Sequence, residues 1–285
     1  MLRVAGPSAL LWLDGAEREA GLLPRLPGGP LVVGDRVEVR RTGEDLVVTG
    51  RLPRTTELVR AAGPEGATRT VVANADLMLV VESLAAPPPR PHLVDRYLVA
   101  AHVGGLEPAV VLTKLDLVED AAEAGALVDL YRGIGYTVLD GSSKDPAFVA
   151  RIRELVDGRV GALVGRSGAG KSTITRGLTG VQRAVGAVGD RGGRHTTTDP
   201  RLLPLPGGGA VVDTAGVRTL FLPPVEPDEL VEAFPEIAAA AAGCRFRDCR
   251  HMGEAGCAVP GRVPASRLES YRRLAESLTR TPRAT

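Results

Sequence analysis

Residues Gly165-Arg166-Ser167-Gly168-Ala169-Gly170-Lys171-Ser172 read GxxxxGK[ST], a spacing that suits one chemistry, the cradling of a polyphosphate. Glycines let successive backbone N–H groups turn onto the α- and β-phosphates at a helix N-terminus, where the dipole favours negative charge. Lys171 would reach the β- and γ-phosphates as a point charge and catalytic group. The Ser172 hydroxyl would ligate Mg²⁺, with Thr173 beside it in the first helical turn. Asp213-Thr214-Ala215-Gly216 follows the apolar stretch GGAVV, where an aspartate holds the Mg²⁺ site and the Gly216 N–H can meet the γ-phosphate.

A second set of residues reads a base. Thr113-Lys114-Leu115-Asp116 ends the apolar run PAVVL, at the strand edge where open α/β sheets bind ligands. The Asp116 carboxylate can accept from the ring N–H and the 2-amino group of guanine. Adenine offers neither donor there and would leave a charged acceptor unmatched. The expected nucleotide is therefore GTP, and an ATP-dependent kinase is the competing reading. The Lys114 stem would lie along the base, with Ser142-Ser143-Lys144 closing over it from the other side. Both base motifs precede the phosphate loop, whereas an ordinary GTPase has the reverse order. The sequence therefore describes a circularly permuted core, which surface-lying termini make physically tolerable.

A third constellation is Cys244-x4-Cys249-x-His251-x5-Cys257, three thiolates and one imidazole within 14 residues. That is the closed tetrahedral ligand set of a structural Zn²⁺ ion. It uses all three cysteines of the chain, an odd number that cannot pair fully as disulfides. Arg245, Arg247, Arg250, Arg272 and Arg273 surround it and are candidates for RNA phosphate contacts.

The elements that must position these groups fall into three regions. Residues 1–65 show short alternating runs, LVVGDRVEVRR and EDLVVTGRLPRTTELV, broken by Gly34-Asp35 and Gly43-Glu44, as in a small β-barrel. Residues 66–222 alternate apolar strands (DLMLVVESL, PAVVL, YTVLD, GALV, GGAVV) with helices, which predicts a mostly parallel sheet covered on both faces. Residues 223–285 predict a helix over DELVEAFPEIAAAAAG, the cysteine segment, and a closing helix over PASRLESYRRLAESLTR.

At 285 residues, 44% hydrophobic and 24% charged, the chain is globular rather than disordered or fibrous. No apolar run approaches the roughly 18–20 residues of a membrane span, and MLRVAGPSALLWLDG is a poor signal peptide, so a cytoplasmic location is expected. Net charge is 0 over residues 1–65, −4 over 66–243 and +5 over 244–285, the pattern of a nucleic-acid-facing tail. Only three cations are lysines (Lys114, Lys144 and Lys171), and each lies in a nucleotide motif.

These motifs, with VVGDRVEV, RTTELVRAA, VVANADLMLVV, RYLVAA, GRHTTT, DTAGVR and CRFRDCRH…GCAV, resemble the circularly permuted RsgA (YjeQ) family of small-ribosomal-subunit-dependent GTPases over nearly the whole chain. The resemblance implies an N-terminal OB-fold, a central P-loop GTPase domain and a C-terminal zinc domain. It also implies GTP hydrolysis stimulated by the small subunit during its late maturation, with rRNA as partner. The protein is expected to be a monomer away from membranes. Thr113 stands where the family usually has Asn, Ala215 where it often has Pro, and the first 30 residues match it least.

In Gly193-Arg194-His195-Thr196-Thr197-Thr198, one threonine would close on Mg²⁺ and the γ-phosphate, with Thr198 favoured. Val217 follows the DTAG segment where Ras-like enzymes keep a water-orienting Gln nearby, so slow intrinsic turnover is expected. His195 is then either the residue that a partner positions near the water or a loop histidine that touches only phosphate or RNA. A nucleotide-sensing RNA-binding protein with negligible turnover is the alternative to the enzyme.

Overall fold

The computed structural model describes residues 1–61, 68–86, 88–180, 200–214 and 222–279. Strands β1 (Arg3–Ala5), β2 (Ser8–Leu13), β3 (Ala16–Leu22), β4 (Val37–Thr42) and β5 (Asp45–Arg51) form one sheet in the order β1-β2-β3-β5-β4. The β2–β3 hairpin turns at Asp14-Gly15, both at positive φ (50° and 74°), as a two-residue turn with right-handed twist requires. Ala9, Leu11, Ala20 and Val48 fill its small core. A parallel β3–β5 pairing that passes over β4 gives the strand order of an OB-type barrel.

Strands β6 (Glu57–Ala61) and β7 (Thr68–Ala73) make a separate hairpin, so the boundary expected after residue 65 falls between its two strands. This hairpin is pinned to the N-terminal unit. The chain's single asparagine, buried Asn74, donates to the Gly34 carbonyl at 3.1 Å and accepts from the Thr55 N–H at 2.9 Å. Gly34 itself packs so closely on Ala73 that any Cβ would strike its carbonyl.

The central sheet is built from β8 (Leu77–Ser83), β9 (Glu107–Thr113), β10 (Thr137–Asp140), β11 (Val160–Val164), β12 (Arg201–Pro204) and β13 (Ala210–Asp213). Its order is β10-β9-β8-β11-β13-β12, parallel throughout except for the β12–β13 edge pair. Helices α1 (Pro91–Val103) and α2 (Ala121–Ile134) cover one face, and α3 (Pro146–Leu155) and α4 (Lys171–Thr179) cover the other. Side chains alternate accordingly. Met78, Val80 and Leu112 join the α1/α2 core, while Leu79, Val81 and Val111 join Phe148, Ile152 and Ile174. Every residue of β8 is buried, which is why that segment reads as a continuous apolar run.

The C-terminal region corrects one expectation. The stretch read as a single helix is two, α5 (Pro227–Glu232) and α6 (Pro235–Ala241). Pro235 has no N–H to continue the first helix and starts the second at its N-terminal turn, where proline is tolerated.

Helix α7 (Ala265–Thr279) packs on α1 through Arg267, whose guanidinium is 1% exposed. It pairs with Asp95 of α1 and, at 2.6 Å, with Glu236 of α6, and it lies 4.4 Å from the Phe234 ring centroid. Among the described residues no helix is long and apolar enough to cross a membrane.

Candidate nucleotide cleft and metal cluster

Parallel register brings the scattered motifs to one edge of the sheet. Ser83 pairs with Thr113, Leu112 with Asp140, and Leu163 with Asp213, so the strands carrying them end level with one another. Beyond those ends lies a cleft of about 470 Å³. Its walls are Lys114, Asp116 and Leu117 after β9, Ser142, Ser143 and Lys144 after β10, and Gly165, Ser167, Gly168, Gly170, Lys171, Ser172 and Thr173 around the loop into α4.

Backbone conformation shapes each wall. Gly165, Gly168 and Gly170 hold φ of 138°, 79° and 99°, and a Cβ on Gly165 would meet the Val81 carbonyl. Lys114 adopts the left-handed region (φ 61°), which turns the chain into the short 3₁₀ segment Leu115–Leu117 bearing Asp116. Its ammonium donates to the Ala86 carbonyl at 3.1 Å in the Pro-rich connector between β8 and α1.

Electrostatics divide the cleft. At the base end, a hydrogen bond from Ser142 holds the Asp116 carboxyl below the usual range, aided by Lys144, whose Nζ lies 3.6 Å away. At the phosphate end, the Lys171 ammonium donates to the Gly165 and Arg166 carbonyls at 2.6 and 2.7 Å. Burial lowers its pKa, and the Asp213 and Glu82 charges pull the other way. Asp213 is wholly buried at the end of β13.

The side chains of Thr113, Arg166 and Ala169, like that of Asp213, lie outside the cleft lining. Thr113 is wholly buried and donates to the Ala169 carbonyl at 2.6 Å, tying β9 to the phosphate loop. Ala169 is buried beneath the loop. The Arg166 side chain runs to Glu82, 3.5 Å away, and donates to the Pro88 carbonyl at 3.1 Å. His195, Thr198 and Gly216 lie outside the described residues.

Glu82 was missed in the sequence, although a charge within the apolar run LMLVVESL was a visible signal. Its side chain is 2% exposed, and burial pushes its carboxyl above the ordinary range despite Arg166.

The second cluster sits against α7. The ligand atoms of Cys244, Cys249, His251 and Cys257 lie within 4.8 Å of one another and could hold a metal ion. His251 Nδ1 stands 3.7, 3.6 and 3.5 Å from the three sulfurs. The loop is braced around them. Glu254 accepts from the backbone N–H groups of Arg250, Met252 and Gly253 at 3.0, 2.8 and 3.1 Å, and Arg272 Nε donates to the His251 carbonyl at 2.8 Å. Of the arginines proposed for RNA, Arg273 pairs with Glu269 on the same helix, while Arg245, Arg247 and Arg250 are exposed.

Comparison with known proteins follows the same lines. The family profile described as RsgA GTPase matches residues 51–223. The small ribosomal subunit biogenesis GTPase RsgA of Ectopseudomonas mendocina is 40% identical over 261 residues, covering 87% of this chain and 75% of that protein. The protein of the same name from Pseudomonas fluorescens SBW25 is 38% identical over 279 residues, covering 93% of this chain and 80% of its own. Among solved structures, YjeQ from Thermotoga maritima superposes with a TM-score of 0.79 at 26% identity, covering 99% of this chain and 98% of its own. YloQ, a circularly permuted GTPase, superposes with a TM-score of 0.76 at 25% identity over 99% and 95%.

Proposed function

The chain belongs to the RsgA GTPase family, and we propose that it hydrolyses GTP to GDP and phosphate while serving late maturation of the small ribosomal subunit. One observation carries this reading. The base-reading and phosphate-holding segments, in permuted chain order, line a single cleft with Asp116 at one end and Lys171 at the other.

Asp116, held ionised by Ser142 and Lys144, takes the ring N–H and 2-amino group of guanine. Lys171 leaves the Gly165 and Arg166 carbonyls for the β- and γ-phosphate oxygens, which are stronger acceptors because they are charged. The Ser172 hydroxyl and the Asp213 carboxylate would hold Mg²⁺, with Thr198 joining them when GTP is bound, and the ion would supply positive charge against the phosphate oxygens. Water attacks the γ-phosphorus as the bond to the β–γ bridging oxygen breaks, releasing GDP and inorganic phosphate. With no glutamine after Gly216 to orient that water, turnover is slow until the small subunit intervenes, and His195 is the residue it would position.

Zinc fits the second cluster. Zn–S bonds of about 2.3 Å and Zn–N bonds of about 2.0–2.1 Å in a tetrahedron set sulfur and nitrogen about 3.6 Å apart. The sulfurs stand 3.5, 3.6 and 3.7 Å from the His251 nitrogen. The ion's role is structural, since four protein ligands leave no open position. The N-terminal barrel and the C-terminal metal-binding region are the units that would grip rRNA, in a cytoplasmic monomer.

The test is phosphate release from GTP, with ATP as control, with and without purified small subunits. Strong stimulation by subunits with ATP inert is expected. A GTP rate indifferent to subunits would remove the ribosomal assignment and leave the hydrolase.

A further inference from the structure

We propose that this chain recognises guanine without reading its N7 atom, because Thr113 has a single proton and the phosphate loop takes it. The inference rests on the reading that the cleft binds GTP, and it names how that site discriminates among purines.

Thr113 Oγ1 lies 2.6 Å from the Ala169 carbonyl and 3.3 Å from the Glu82 carbonyl. Both are acceptors, so the hydroxyl can only donate, and the shorter contact holds the proton. Guanine N7 is also an acceptor and gains nothing from the lone pairs left on Oγ1. An asparagine here would carry two N–H protons, enough to tie down the loop and serve a base as well.

Threonine keeps the first duty and drops the second. It cannot turn away, because it is wholly buried under the loop. A Cβ placed on Gly170 would lie 3.4 Å from Thr113 Oγ1 and 3.5 Å from its Cγ2.

The neighbouring donors are engaged elsewhere. The Ser142 hydroxyl serves Asp116, Lys114 Nζ reaches Ala86, and Lys144 Nζ lies beside Asp116, on the Watson–Crick edge. Among the described side chains at the base end of the cleft, Ser143 remains as a competitor. Its hydroxyl faces the phosphate loop, 3.3 Å from where a Gly170 Cβ would stand. Asp116 therefore discriminates guanine from adenine, and the imidazole ring of the base goes unread.

The probe is 7-deaza-GTP, which has C–H in place of N7 and is otherwise GTP. Displacement of a ribose-labelled GDP from the intact protein is measured for GTP, 7-deaza-GTP and ATP. The dissociation constants of GTP and 7-deaza-GTP should agree within about threefold, because no donor is left unpaired when N7 is removed. ATP should compete at least about a hundredfold less well, because Asp116 would stay unmatched. Thr113→Asn should create a preference for GTP over 7-deaza-GTP of about tenfold. The wild-type comparison decides the matter even if that buried substitution impairs folding.

A tenfold or larger preference for GTP in the wild type overturns the inference. If that preference vanishes in Ser143→Ala, Ser143 is the reader. Should GTP and ATP displace the label equally, the guanine reading itself falls and takes this inference with it. GTP binding with ATP excluded, but 7-deaza-GTP discriminated, sinks the inference alone.

Discussion

The nucleotide cleft and the cysteine–histidine cluster both hold polar groups within a few ångströms of one another, by opposite means. The cleft draws on segments from residue 114 to residue 173, at three strand ends. Its geometry comes from a parallel sheet whose central strand is buried along its whole length. Hydrophobic burial on two faces offsets the ordering cost, and each cleft contact adds a small increment. The cluster is local, four ligands within 14 residues, with Phe246 and Met252 of its loop exposed. Burial and the neighbouring sulfurs raise the Cys249 thiol above its ordinary range, so an ion that binds there must displace its proton. A site carried by a sheet should tolerate the loss of one contact, whereas a site carried by an ion should not tolerate its loss.

Metal removal gives the largest contrast. Structural zinc contributes an apparent ~10–16 kcal/mol in small domains. Chelation should therefore make residues 244–263 sensitive to protease while guanine nucleotide still binds. Unchanged proteolysis after verified metal loss would mean that the loop has a core of its own, and the contrast would break.

The joint between the two regions comes next. Arg267→Met leaves Asp95 and Glu236 without their shared cation and should destabilise the protein by about 3–5 kcal/mol in denaturant unfolding. Adding Asp95→Asn should recover part of that loss, and no recovery would show that the ion pair is not its cause.

Within the cleft, Lys171→Ala should slow GTP hydrolysis by about 10²–10³-fold, the range for removing one donor to developing charge. Its thermal unfolding should match the wild type, because the sheet and not the lysine holds the loop. A large drop in melting temperature would blur the distinction.

The smallest effect is in pH. The Asp116 pKa is lowered chiefly by Ser142, so the carboxylate stays ionised, and guanine stays readable, further into acid than for an ordinary aspartate. Ser142→Ala raises that pKa. The acid limb of GDP affinity should then move upward, with affinity near neutral pH little changed. An unshifted limb would leave Lys144 as the controlling partner.

Much of this was legible in one dimension, for physical reasons that differ by site. The phosphate loop and the cysteine cluster are contiguous, so residue type and spacing nearly specify their chemistry. Pro235 inside DELVEAFPEIAAAAAG was equally visible, and the break it causes needs only its missing N–H. Glu82 was visible as an anomaly but not as a partner of Arg166, because that pairing requires β8 and β11 to be neighbours. The Arg267 joint had no local signature, since Asp95 lies 172 residues away in sequence.

The inventory is written in the sequence: the groups proposed to hold phosphate, guanine and a metal ion, and their permuted order. The tertiary structure decided which of those groups face the cleft. Arg166 turns to Glu82, and Thr113 gives its proton to a carbonyl 56 residues further along the chain. A hydrogen bond depends on distance and angle in space, and only the packed sheet sets those.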